Sequence, residues 1–328
     1  MLHHEEVFWR QRSRSIWLKA RDKNTRFFHQ RASQRHMKKS IDGLNDREGV
    51  WQSDMSRIST IAEEFYTNLF TIAQPRNMEG VLEVVDKIVT QDMAHSLTQP
   101  YTEEEVRVAL FNMHPSKSLS PDGMSLFFFQ KYWHIVGHDV TLAVLSVLHS
   151  GKCLKKMNFT HIILIPKNND PQYITEFRPI SLSNVVSRII SKVLANQIKS
   201  ILPNVISNAQ SAFIPDRLIT DNTIVAFEMP HCVRSRRKGK TGHMAVKLDI
   251  SKAYDRMEWE FLRRIILKIG LPEQWVTLAM EIMKTATYSI LINGEPKGFI
   301  TPTRDIRQGD HLSPYLFLLC AEGLSSLI

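Results

Sequence analysis

Cysteine is scarce in this chain of 328 residues: Cys153, Cys232 and Cys320 are odd in number and far apart. That spacing excludes both a disulfide framework and a zinc knuckle. No apolar run approaches the ~20 residues needed to cross a bilayer; the greasiest stretches, 140–148 and 315–320, are short. The N-terminal stretch MLHHEEVFWRQRSR lacks the apolar core of a secretory signal. An intracellular, reducing setting, nuclear or cytoplasmic, is therefore expected, with no membrane partner. The histidines show no metal-ligand spacing, and no internal repeat is present. With 43% hydrophobic and 23% charged residues, the composition is globular, and the length suggests about two or three structural units.

Acidic residues are nearly missing from one long stretch. Between Trp9 and Lys39 there are eleven Lys/Arg against the single acid Asp22, enough to outweigh the chain's net +9. A second run, Arg234 to Lys247, holds six Lys/Arg and no acid. Positive charge so concentrated attracts a polyphosphate backbone with salt-sensitive affinity. A solvated helix face is the plainer reading. Two features favour nucleic acid: Trp9, Trp17, Phe27 and Phe28 interleave with the first run, and the second leads into the segment carrying Asp249. The candidate contacts are Arg10, Arg14, Lys19, Arg21, Lys23, Arg26, Arg35, Lys38, Lys39, Arg236, Arg237 and Lys238.

Residues 244–250 alternate. Met244, Val246, Leu248 and Ile250 fall on one face, and Ala245, Lys247 and Asp249 on the other. The pattern predicts a core-anchored strand with the Asp249 carboxylate on its open face. Magnesium takes hard oxygen ligands and is usually held by one or two carboxylates plus substrate phosphates, so such a strand is a suitable mount. An Asp that caps the following helix is the other reading.

Elsewhere the pattern is mixed. Ile61, Phe65, Tyr66 and Leu69 repeat at helical spacing, closing a basic, helical first part, and 71–77 is a plausible linker. Thr102 and Glu105 form a capping-box start. Residues 114–123 read as a loop, and 161–166 as a buried strand. A helix after Asp255 stops near Gly270; the next carries the stripe Trp275, Leu278, Ala279, Ile282, Met283. Residues 288–300 form a hairpin turning at Asn293-Gly294, and Ser313-Pro314 caps a final apolar helix. Few parallel crossovers are signalled, so the fold class expected is α+β.

Five segments in order carry a family likeness: KARDKNTRFFHQRAS (19–33) with SKSLSPDGM (116–124), LIPKNNDPQYITEFRPISLSNVVSRIISKVLANQIK (164–199), QSAFIPDRLITDN (210–222), KLDISKAYDRMEWEFL (247–262) and YSILINGEPKGFITPTRDIRQGDHLSPYLF (288–317). They resemble the reverse transcriptases of non-LTR (LINE-type) retrotransposons, in wording closest to plant elements. The resemblance implies a right-hand polymerase. Residues 1–95 would be a basic helical N-terminal extension, 96–230 the fingers region and 231–328 an incomplete palm. The partners implied are an RNA template, a DNA primer and dNTPs, with magnesium, or manganese in its place, as cofactor.

The resemblance also implies roles. Asp249 would bind the catalytic metal ions, with the backbone oxygen of Ile250 on the one that carries the triphosphate. Neutralising an in-line phosphoryl transfer is the task of such ions. Tyr254 would pack beneath the sugar and exclude a 2′-hydroxyl; plain packing is its alternative. Lys167 and Arg178 would grip the triphosphate, a point charge beside a forked donor. Gln308 would contact the incoming nucleotide, with Gly309 allowing close backbone approach. Asp255 is read as structural rather than as a second ligand. Arg307 either stays near the phosphates or pairs with Asp310.

The sequence departs from the family pattern. Leu119 and His311 stand where proline is usual, and Ser120, Asp216 and Asp305 where glycine is usual. If those backbones need positive φ, each exchange costs about 1 kcal/mol or more. Single C-to-T changes explain the Gly→Asp, Gly→Ser and Pro→Leu exchanges, the drift of a silenced transposon copy. No Asp-Asp pair, the family's remaining metal ligands, occurs in the 328 residues. The expectation is a truncated, inactive reverse transcriptase fragment. A non-catalytic RNA- or DNA-binding remnant is the competing class, and an RNA-dependent RNA polymerase palm a weaker third.

Overall fold

The computed structural model describes residues 40–73, 78–115, 120–235 and 246–327. All twelve candidate nucleic-acid cations, from Arg10 to Lys39 and from Arg236 to Lys238, lie outside them, as do Met244 and Ala245.

A short hairpin opens the described chain: β1 (Leu44–Asn45) pairs with β2 (Trp51–Gln52). Helices α1 (Met55–Leu69), α2 (Met78–Glu83), α3 (Gln91–Leu97), α4 (Glu103–Phe111), α5 (Leu126–Lys131) and α6 (Trp133–Ser150) follow. Next come β3 (Phe159–Pro166), β4 (Phe177–Ser183), α7 (Val185–Val205) and α8 (Ile219–Ser235). The last part contains α9 (Trp259–Ile269), α10 (Glu273–Lys284), β5 (Thr287–Ile292), β6 (Glu295–Ile300) and α11 (Ser313–Ser325).

Local signals explain most of these. The Thr102 backbone N–H donates to Glu105 Oε2 at 2.8 Å while Glu105 N–H donates to Thr102 Oγ1 at 3.2 Å, so the capping box that opens α4 is complete. The apolar stripe of α10 from Trp275 to Met283 is buried throughout. Asn293 (φ 52°) and Gly294 (φ 92°) make the two-residue turn between β5 and β6. One detail differs: Leu312, not Ser313, is the N-cap of α11, with Ser313 and Pro314 inside its first turn.

Strands β4, β3, β5 and β6 form one sheet in that order; β3–β5 is parallel and the outer pairs are antiparallel. A mixed sheet with helices around it is α+β architecture. Against the sheet lies α1, whose Ile58, Ala62 and Tyr66 share a core with Ile162, Leu164, Tyr288 and Ile290. A second, helical core centres on α7, packed by α3, α4, α6 and α11. The first core takes side chains from Ile41 to Ile300 and the second from Leu82 to Cys320. Packing therefore crosses positions 95 and 230, where the part boundaries were expected. Among the described residues the first part has no core of its own, and it contains a hairpin that charge patterning did not reveal.

Of the strand expected over 244–250, the described part, 246–250, forms none. Residues 246–250 carry no regular structure, and Val246, Leu248 and Ile250 are 66%, 63% and 56% exposed. Alternation produces a strand only where a neighbour takes its N–H and C=O groups. No strand among the described residues does so for this segment.

Candidate nucleotide site

The β3–β4 hairpin presents the two candidate phosphate cations. Ile165 lies opposite Arg178 in the ladder, and the Lys167 N–H donates to Glu176 O at 2.8 Å. Arg178 alternates with Phe177, which packs in the core under α1, and Lys167 lies one residue past the end of β3 and lines the cleft beside α1. Both are exposed. The Lys167 ammonium donates to Thr175 O at 2.9 Å, which bends it back over the hairpin end.

The turn 305–310 docks onto the edge of this hairpin. The Ser181 N–H donates to Gln308 O at 2.8 Å. Gly309 has φ +102°, and a Cβ there would stand 3.4 Å from Ser181 O, so both conformation and contact favour glycine. Arg307 is buried and acts as a strut: its guanidinium donates to Asn158 Oδ1 at 2.5 Å and lies 3.9 Å from Asp310. Asn158 in turn donates to Ile282 O at 2.5 Å and to Thr285 Oγ1 at 2.9 Å. Of the two roles weighed for Arg307, the structure places it in the interior one.

Residues 251–257 close the site from the other side. The Ile306 N–H donates to Tyr254 O and the Asp305 N–H to Met257 O, both at 3.0 Å. The Tyr254 ring stacks on Phe317 of α11 with centroids 5.1 Å apart and 17° between planes. Gln308 Nε2 donates to Asp255 Oδ1 at 2.7 Å. Asp255 is only 1% exposed, and burial raises its carboxyl pKa, against the Gln308 bond and the Lys252 charge. Lys252 sits over the Phe65 ring at 5.2 Å, and burial lowers its ammonium.

Asp305 lies beneath this layer. Its Oδ2 accepts from Tyr288 Oη at 2.7 Å, and its backbone oxygen from Trp259 Nε1 at 2.7 Å. Burial and the nearby Asp255 charge push its carboxyl well above the usual range.

Lys167, Arg178, Tyr254, Gln308 and Gly309 thus belong to segments tied directly to one another. Asp249 and Ile250 stand just before them, on the exposed segment 246–250. No group of three His, Cys, Asp or Glu suited to a metal occurs among the described residues. A lone carboxylate with a backbone oxygen suits a cation arriving on a triphosphate; it falls short of a resident two-ion centre. Beside the hairpin a cleft of about 820 Å³ opens between α1 and 251–256, lined by Arg47, Arg57, Lys167, Lys252, Arg256 and Arg304. Sequence reading missed the parts played by Lys252, Asn158 and Phe317. Phe317 lay within a quoted segment, but its stacking partner is sixty-three positions earlier, beyond any local pattern.

Sequence comparison supplies the family. Residues 165–328, half of the chain, match the family described as reverse transcriptase (RNA-dependent DNA polymerase), and the chain belongs to that family. Over 319 residues, 97% of this chain, it is 28% identical to the transposon TX1 uncharacterized 149 kDa protein of Xenopus laevis, covering 24% of that protein. Over 287 residues, 84% of this chain, it is 25% identical to a retrovirus-related Pol polyprotein from the type-1 retrotransposable element R2 of Nasonia vitripennis, covering 26% of it. A segment of 37 residues, 11% of this chain, is 65% identical to an uncharacterized mitochondrial protein of Arabidopsis thaliana, covering 30% of that protein. The chain spans about a quarter of the length of the two transposon relatives.

Proposed function

We propose that this chain is the nucleotide- and template-handling part of a non-LTR retrotransposon reverse transcriptase, of plant-like type. Its substrates are dNTPs, and its partners an RNA template and a DNA primer. Enzymes of this family work with divalent metal ions. The observation that carries the reading is the docking of the Gln308–Gly309 turn onto β4, on the hairpin that bears Lys167 and Arg178. In the reading, these cations hold the triphosphate, the Tyr254–Phe317 stack floors the sugar, and Gln308 meets it from the side. Asp249 and the Ile250 oxygen would hold the metal that enters with the nucleotide.

Equilibrium binding of Mg²⁺-dNTP to the full chain tests this. Lys167→Ala and Arg178→Ala should each weaken binding about tenfold, the worth of one charge-assisted contact. Unchanged affinity in both variants would sink the assignment.

A non-catalytic nucleic-acid binder is the second reading, favoured by the two basic runs at 9–39 and 234–247. The chain alone is then expected to bind an RNA–DNA hybrid with steep salt dependence and to extend no primer. Magnesium-dependent extension by the chain would exclude this reading.

A further inference from the structure

Asp249 stands on a segment with little to hold it. Residues 246–250 form no backbone hydrogen bond with any described residue, and Val246, Leu248 and Ile250 are exposed. The first side chain after Asp249 that is fixed to the body is that of Lys252. Its ammonium lies 5.2 Å from the Phe65 ring centroid and 6.0 Å from that of Tyr66, both on α1. The negative faces of the rings attract a cation so placed. The nitrogen is buried and has no hydrogen-bond partner among the described residues, so the rings and the Asp255 charge are what hold it. Lys252 also keeps a left-handed backbone, φ 56°, which a residue with a Cβ rarely adopts and which persists where the surroundings impose it.

We propose that Lys252 is a positioning residue: held by Phe65 and Tyr66, it ties the turn 251–256 to α1 and thereby sets where the Asp249 carboxylate stands. The proposal rests on the nucleotide reading above and deepens it, because it makes α1 part of the frame of that site. The rings are themselves well anchored. Phe65 packs edge-on against Tyr66 with centroids 5.1 Å apart, Tyr66 stacks on Phe70 at 5.6 Å, and Phe70 meets Tyr288 of β5 at 5.4 Å. A continuous aromatic row thus runs from the sheet to Lys252. The Lys252 carbonyl accepts from Arg256 N–H at 3.0 Å, which closes the turn on its C-terminal side. The enclosed Lys252 nitrogen is committed to this contact, whereas Lys167 and Arg178 are exposed and free to meet a triphosphate.

The test is equilibrium binding of Mg²⁺-dTTP to the full chain, as wild type and with Phe65→Leu, Lys252→Met and both together. Leucine and methionine keep apolar packing but remove the ring face and the charge. Each single change should weaken binding about fivefold, the worth of a shielded cation–ring contact. The double variant should lose no more than either single one. Lys252→Arg, whose guanidinium also sits well over a ring, should stay within about twofold of wild type. Normal affinity in Phe65→Leu overturns the proposal, as does a double variant weakened by the product of the two single losses. Either result means that Lys252 acts on the ligand directly rather than through α1. If wild type does not bind Mg²⁺-dTTP, the nucleotide reading itself fails, and a ligand-free measurement decides the positioning role. Amide hydrogen exchange in 251–257 should then rise about fivefold in Phe65→Leu while that of α10 keeps its wild-type rate. Exchange unaltered in 251–257, or raised equally in α10, overturns the role.

Discussion

Asp305 combines two costs at one residue. Its φ of 137° is a conformation that favours glycine, and its carboxyl is buried beside Asp255. Replacing it with glycine should raise stability by about 1 kcal/mol, the strain released. The replacement also leaves the buried Tyr288 hydroxyl without its acceptor, so Asp305→Gly with Tyr288→Phe should gain more than the single change in urea unfolding. The pH dependence follows from the raised pKa. The folded state binds this proton more tightly than the unfolded state, whose carboxyl keeps the ordinary value of 3.8. Its contribution is therefore lost as pH rises from about 4 through the raised value. Relative to wild type, Asp305→Asn should flatten that decline; an identical slope would refute the assignment. Asp216, exposed at φ 61°, should gain about 0.5 kcal/mol on change to glycine. Ser120 is buried without a positive φ, so glycine there should bring no gain, contrary to what the family pattern alone implies.

At the scale of elements, segment 246–250 is the one whose side chains contradict its pattern. Three exposed aliphatic residues on an unpaired stretch invite edge-to-edge association. Changing Val246, Leu248 and Ile250 to threonine should lower concentration-dependent self-association in sedimentation velocity while leaving the melting temperature within about 1 °C, because surface changes of this kind cost little. Unchanged association would show that another surface is responsible. The contrast with α10 and the β5–β6 hairpin explains what was legible. The α10 stripe and the Asn293-Gly294 turn are local properties, written within a dozen residues. The fate of 246–250 depends on a partner strand, which no local period encodes. The site divides in the same way. Lys167, Arg178 and Gln308 were singled out through motif likeness, whereas the Asp255–Gln308 bond and the Phe317 stack span 53 positions and more.

Across the whole molecule, the N-terminal part is bound into the rest at several points. The Asn293 side chain accepts from Ile41 N–H at 2.8 Å and donates to Ile41 O at 3.0 Å. Phe70 O accepts from the N–H groups of Thr303 and Arg304, and Ile269 O from those of Ile88 and Val89. With two cores that each draw on early and late residues, unfolding should be a single transition for the described chain. Fluorescence and far-UV circular dichroism should report the same urea midpoint; separated midpoints would mean independent units.

The match to the reverse transcriptase family covers residues 165–328, yet β3 spans Phe159–Pro166 and stands between β4 and β5. A polypeptide started at that residue would keep two amino acids of the strand that joins its neighbours, and would forfeit the α1 cover as well. Such a piece should show a melted near-ultraviolet spectrum and bind hydrophobic dye. The 165–328 stretch is thus not one that can stand alone, and any attempt to isolate it in folded form has to begin well upstream, before the β1–β2 hairpin.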